Sequence, residues 1–135
     1  MNYTKNLVRV REVMNADYIV VDGLETVADT VRKMKSARAL AAIIDRRNEE
    51  DEYGLLVPAD IAKQVIAQNR APERVNVYEI MSKPVIAVHP EMDIRYAARL
   101  FQQFGLNVAP VMDHHDSVCG MVAYYDIVMR GLLKD

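Results

Sequence analysis

The sequence predicts an α/β (α+β) fold made of two β-α-β-β-α repeats, and three observations carry that prediction. The opening segment Val8-Arg9-Val10-Arg11-Glu12-Val13-Met14 returns as Val75-Asn76-Val77-Tyr78-Glu79-Ile80-Met81, 67 residues later, with four identities and a Val/Ile exchange. The same shift pairs Ile19 with Ile86, Val21 with Val88 and Arg32 with Arg99. In each copy, short β-branched runs alternate with stretches whose apolar residues recur every three to four positions.

The first strands are read at Tyr18-Ile19-Val20-Val21 and Val85-Ile86-Ala87-Val88, each ending in a turn, at Asp22-Gly23 and at His89-Pro90. Helices follow. Leu24, Val27, Val31 and Met34 make the apolar face of the first, and Ile94, Ala97, Ala98, Phe101 and Phe104 that of the second. Pro90-Glu91 suits a first helical turn, where a missing N–H is harmless and a carboxylate favours the dipole. Ala41-Ala42-Ile43-Ile44 and Val108-Ala109-Pro110-Val111-Met112 are second strands, matched by setting Ile43-Ile44-Asp45 on Val111-Met112-Asp113, a shift of 68. Third strands fall at Leu55-Leu56-Val57 and Met121-Val122-Ala123 after the polar turns 48–52 and 114–117, and final helices at about 58–68 and 124–133. The repeats therefore run over 8–68 and 75–134, joined by the connector 69–74, and each is small enough to need the other as packing partner. Met14, Met34, Met81, Met112 and Met121 sit at core spacing.

Composition narrows the function classes. The 135 residues hold 17 Lys+Arg against 19 Asp+Glu, a formal net charge of −2, which gives no electrostatic reason to seek nucleic acid or an anionic membrane. The start, Met1-Asn2-Tyr3-Thr4-Lys5, is polar and no apolar run approaches the ~20 residues of a membrane span, so a cytoplasmic protein is expected. The single Cys119, inside an apolar run, suits a reducing compartment and a packing role.

A tandem unit whose copies open with Val-Met or Ile-Met, carry a hydrophobic-hydrophobic-Asp strand, preceded by Pro in the second copy, and close with Gly-hydrophobic-hydrophobic-x-x-x-Asp-Ile resembles a pair of cystathionine-β-synthase (CBS) domains, a Bateman module, over about residues 8–134. The resemblance implies repeats related by a pseudo-twofold axis, with two clefts between them able to hold AMP, ADP, ATP or S-adenosylmethionine. It also implies a regulatory rather than catalytic role, further dimerisation, and a separate regulated protein. Without a ligand, the same resemblance leaves a scaffold acting through a partner.

The resemblance places ribose recognition at Asp60 and Asp126, six residues after Gly54 and Gly120, where a carboxylate can accept from both hydroxyls of a diol. An Asp there also serves simply as a first-turn cap. Val57 and Ala123 stand where nucleotide-binding relatives often have Thr or Ser, which removes a hydroxyl from both clefts. Adenine would meet strand-edge backbone at Val85-Ile86-Ala87 or Tyr18-Ile19-Val20, with Pro58, Pro110, Val111 and the rings of Tyr124 and Tyr125 as walls. For phosphate, Arg38, Lys83 and Arg130 are available, and Arg130 lies one helical turn after Asp126. Since the second repeat keeps Pro110, two tyrosines and Arg130, whereas the first has Ala42 at the matching place and Gln64 after Asp60, the Asp126 cleft is expected to bind more tightly.

His114-His115-Asp116 is read as a solvated turn, because adjacent side chains rarely converge on one ion and no third ligand is spaced to join them, so no metal is expected. No glycine-rich phosphate loop and no nucleophile motif occurs, and no cofactor beyond a possible adenosine effector is implied. The apolar helix faces with Ala97, Ala98, Phe101 and Phe104, and with Val128, Met129, Leu132 and Leu133, exceed what one small core covers, so a homodimer is expected.

Overall fold

In the computed structural model, residues 7–133 are described; the polar start 1–5 and the last residue of the second repeat, 134, lie outside them. The elements in order are α1 (Val10–Val13), β1 (Tyr18–Val21), α2 (Val27–Ala37), β2 (Ala41–Ile44), β3 (Gly54–Leu56), α3 (Pro58–Ile61), α4 (Ile94–Phe104), β4 (Val108–Met112), β5 (Val118–Ala123) and α5 (Tyr124–Gly131). A π-helical turn, Ala62–Ile66, prolongs α3, and 3-10 turns cover Pro72–Arg74 and Val77–Glu79.

The chain forms two compact units, and they are offset from the sequence repeats. One unit joins residues 1–16 to 86–135 and the other spans 17–85, so each takes its opening segment from the other repeat. The repeated residues explain why. In the 17–85 unit, Val75, Val77 and Ile80 are buried with Val27, Met34, Ala42, Ile44 and Leu56. In the other, Val8, Val10 and Val13, 67 residues earlier, are buried with Val88, Ala97, Phe101, Val111 and Val122. The other two identities are also accounted for. Glu12 and Glu79 each accept, through Oε2 at 2.8 Å, the backbone N–H three residues earlier, at Arg9 and Asn76, which caps the short turn. Met14 and Met81 lie over Gly120 and Gly54, and a Cβ on Gly120 would come within 2.7 Å of the Met14 sulfur. A glycine in each third strand, first in β3 and third in β5, is thus the seat of the methionine that closes each opening segment.

In the 17–85 unit, β1 runs parallel to β2 with Tyr18 opposite Ala41, and β2 antiparallel to β3 with Ile44 opposite Gly54. Ser82 extends this sheet by exchanging two 2.9 Å hydrogen bonds with Leu55. In the other unit, β4 and β5 are antiparallel with Val111 opposite Gly120, and Asn15 adds a rung by exchanging hydrogen bonds with Met121. The registers place Ile44 and Val111 in the same role, so the shift at the second strand is 67 and not 68, and the residue equivalent to Pro110 is Ile43, not Ala42.

That proline corrects a strand. Residues 85–88 shrink to a single parallel bridge, with Val88 N–H donating to the Pro110 carbonyl and Met112 N–H to the Val88 carbonyl. The next rung would need the N–H at position 110 to reach Ile86, and proline has none. Other boundaries move too. Helix α2 begins after Thr26, whose hydroxyl accepts from Asp29 N–H, and Leu24 precedes it, exposed. Helix α4 begins after Asp93, whose side chain accepts from Arg95 N–H, so Pro90 and Glu91 sit in the preceding turn. Ala97 and Phe101 are fully buried in the core, which removes them from the expected interface face and leaves Phe104 exposed. Cys119 is exposed rather than packed, its thiol 3.5 Å from the Val111 carbonyl.

Candidate functional site

Asp126 is the third residue of α5 and one of the few buried charged groups among the described residues, 3% exposed. Its Oδ2 accepts from the Ala123 N–H and from Asn15 Nδ2, both at 2.8 Å, and its Oδ1 accepts from Arg130 at 2.7 Å. Arg130 also reaches the Met14 carbonyl at 3.3 Å. The four-residue spacing does put Arg130 on the Asp126 face, but it makes the two partners of each other. Both are engaged: neither the diol acceptor nor the phosphate cation expected at this end is free. Asn15, which holds the carboxylate from the opening segment, is the residue sequence reasoning missed.

Asp60, third residue of α3, stands differently. Its Oδ2 accepts from Val57 N–H at 3.0 Å, the same cap that Asp126 gives Ala123. No ion pair and no other side-chain bond to Asp60 is found among the described residues, and the group is half-buried. The capping role is therefore realised at both aspartates, while a spare carboxylate oxygen is found only at Asp60.

The remaining expected residues divide by accessibility. Pro110 and Val111 are buried within β4. Val57 and Ala123 are half-buried, Pro58 is exposed, and Ile86 is exposed with Ala87 half-buried beside it. Val85 belongs to the 17–85 unit and Ile86 to the other. Tyr124 meets the Phe101 ring edge-on at 5.1 Å, whereas Tyr125 projects, 68% exposed. Tyr18 and Ile19 are half-buried on β1, and Ile19 lines a groove with Arg32, Lys33 and Ser36 of α2. Arg38 caps α2 in a left-handed conformation, φ 55°, with its side chain exposed. Lys83 pairs with Asp51 at 2.7 Å. Among the described residues no group of three His, Cys, Asp or Glu could hold a metal, and no helix is long and apolar enough to cross a membrane.

Three carboxyl groups are held below their ordinary range. The Lys83 ammonium, then the Arg47 backbone and side chain, hold Asp51 down; the Arg95 guanidinium holds Asp93 down against its burial; and the N–H groups of Ser117 and His115 hold Asp113 down. A carboxyl depressed in the folded state stabilises above its unfolded value, about 3.9, and loses that contribution as pH falls through the folded value. The melting temperature should therefore hold from neutrality to about pH 5 and drop below about pH 4, where unfolded chains take up protons first. Asp93→Asn keeps an acceptor for the helix cap but not the charge, and should make the acid slope shallower in thermal melts; an unchanged slope would contradict the assignment.

Against known proteins, a model of the CBS domain matches residues 77–132. A hexameric CBS-CP12 protein from bloom-forming cyanobacteria is 34% identical with a TM-score of 0.88, over 93% of this chain and 72% of that one. A CBS domain protein of Pyrobaculum aerophilum, solved in complex with AMP, shares the fold at 15% identity, TM-score 0.78, over 90% of this chain and 92% of that one. An uncharacterized protein of Methanopyrus kandleri is 27% identical over 90% of this chain, which spans 61% of that protein's length. The match across both repeats, together with the glycine, methionine and aspartate found twice in equivalent structural roles, means that the chain belongs to the CBS-domain family as a tandem pair.

Proposed function

We propose that the chain is a regulatory module that binds an adenosine-containing ligand such as AMP, ADP, ATP or S-adenosylmethionine, without catalysis of its own, and that Asp60 reads the ribose. The observation that carries this reading is the spare, half-buried carboxylate oxygen of Asp60 at the start of α3. AMP in a relative of the same fold supports the ligand class. In this reading the ranking of the two ends is the opposite of the one expected from sequence, because at Asp126 a ligand must first displace Arg130 and Asn15.

A thermal-shift screen with these four compounds tests the reading, since a ligand at 100 times its Kd stabilises the fold by about 2.7 kcal/mol. Asp60→Ala should then weaken the responding ligand by about 1.5–3 kcal/mol in calorimetry, the scale of a hydrogen bond to a charged group. No shift with any compound at millimolar concentration would instead favour a scaffold without ligand, a reading that the missing hydroxyls at Val57 and Ala123 support.

Self-association belongs to the same proposal. Tyr125, Val128, Met129, Leu132 and Leu133, along and just after α5, are all at least half exposed, and the cyanobacterial relative is a hexamer. A dimer is expected by light scattering at micromolar concentration; a monomer mass unaffected by dilution or ligand would contradict it.

A further inference from the structure

We propose that the 17–85 unit carries a second small-molecule site, for a free amino acid with an apolar or aromatic side chain, separate from the Asp60 end. A cleft of about 560 Å³ opens where β1 and β2 end, beside Asp22-Gly23-Leu24 and Asp45-Arg46-Arg47. Its volume is in the usual range for small-molecule sites, and the carboxyl ends of parallel strands are where open α/β sheets commonly place ligands. It lies at the opposite end of the sheet from Asp60, because β3 runs from Gly54, opposite Ile44, through Leu56, opposite Ala42, toward α3.

The ligand class follows from which lining groups are satisfied. Lys83, Asp51 and Arg47 satisfy one another: the Asp51 carboxylate receives Lys83 Nζ at 2.7 Å, Arg47 Nε at 3.1 Å and Arg47 N–H at 3.0 Å. They form a wall. Arg46 has no carboxylate partner among the described residues and lies 4.8 Å over the Tyr53 ring. Among the described residues Asp45 accepts only the backbone N–H of Arg46 and Asp22 only that of Leu24, each through Oδ1 at 2.8 Å. A cation without a carboxylate partner and two carboxylates with an unused oxygen, all among the described residues, thus border the same cleft, whose other surfaces are Ile44, Met81 and the exposed side chains of Leu24 and Tyr78. A carboxylate for Arg46, an ammonium for Asp22 and Asp45, and an apolar side chain for the rest describe a zwitterionic amino acid.

The other unit lacks this arrangement. At the equivalent positions, 67 residues away, it has His89 for Asp22, Glu91 for Leu24, His114 for Arg47 and Arg11 for Tyr78. There Arg11 pairs with Glu91 at 2.8 Å, and the His114 ring faces that of His89 at 6.5 Å, so its own side chains engage one another.

The test is an NMR titration of the full chain with L-leucine and L-phenylalanine, following the methyl signals of Leu24, Ile44 and Met81. Saturable shifts at millimolar concentration are expected for the zwitterions. Leucinamide, which lacks the carboxylate, and N-acetyl-leucine, which lacks the ammonium, should bind about tenfold more weakly or worse, as should leucine to Arg46→Gln or Asp45→Asn. Asp60→Ala should leave leucine binding unchanged whether or not that residue reads ribose. Three results would overturn the proposal: no shift with either amino acid, equal binding of leucine and its two blocked forms, or AMP moving these methyl signals in place of the amino acids.

Discussion

Phe101→Ala is expected to be the most destabilising single substitution in the unit that joins the two chain ends, lowering its stability by about 3–5 kcal/mol, the cost of emptying a buried aromatic site. Phe101 is fully buried on α4 among Val10, Val13, Ala97, Val111 and Val122, so the loss is felt by the opening segment as well as by the sheet. The substitution also removes the edge-on partner of Tyr124, worth about 0.5–1.5 kcal/mol beyond burial. Phe104→Ala, three residues on at the end of the same helix, is the control: its ring is 51% exposed and its removal should cost within about 0.5 kcal/mol. Urea unfolding of both variants decides the matter, and equal losses would mean that α4 turns a different face to the core.

Asp126→Ala should cost about 3 kcal/mol of stability before any ligand is considered. Removing one member of a buried ion pair costs about 3–5 kcal/mol, and the lower end applies because the Arg130 side chain is 47% exposed and regains water. The Ala123 N–H and Asn15 amide lose their acceptor at the same time. Asp60→Ala forfeits one capping bond, about 0.5–2 kcal/mol. Denaturant unfolding of the pair of variants should therefore rank Asp126 first for stability, while calorimetry with a nucleotide ranks Asp60 first for binding. An Asp126→Ala chain as stable as the parent would mean that the Arg130 and Asn15 contacts contribute nothing to folding.

The repeat, most of the elements and the capping role of both aspartates were legible in the sequence, because each depends on local patterns: β-branched runs, three- and four-residue apolar steps, and a carboxylate a fixed distance after a glycine. What was not legible depends on contacts across long stretches of chain. Val8, Val10 and Val13 read equally well as core residues of either unit, and periodicity cannot say which sheet they cover. The same ambiguity hid Asn15, whose amide reaches Asp126 across 111 residues. The signal was present in the repeat itself: a methionine and a glycine found twice are a matched pair. Pro110 carries a signal of its own, since its missing N–H argues against a full ladder with residues 85–88. Arg130 was placed correctly on the face of Asp126, but spacing alone does not tell a cation waiting for phosphate from one already neutralised.

The exchange of opening segments bears on what half of this chain could do by itself. A half-length chain with one copy of the pattern carries Val-x-Val-x-Glu-x-Met at one end and the glycine that seats the methionine further on. Two half-length chains could complete each other only by trading those segments, each finishing its neighbour's core, so one repeat expressed alone is expected to fold only as a pair of copies. In the tandem chain residues 69–74 bridge one copy to the next, so the exchange is made within one molecule and the two copies need not be identical. They are not: Arg130 and Asn15 engage one aspartate while the other has a spare oxygen, and the cleft beside Arg46 is open in one unit while histidines and an ion pair occupy the equivalent positions in the other.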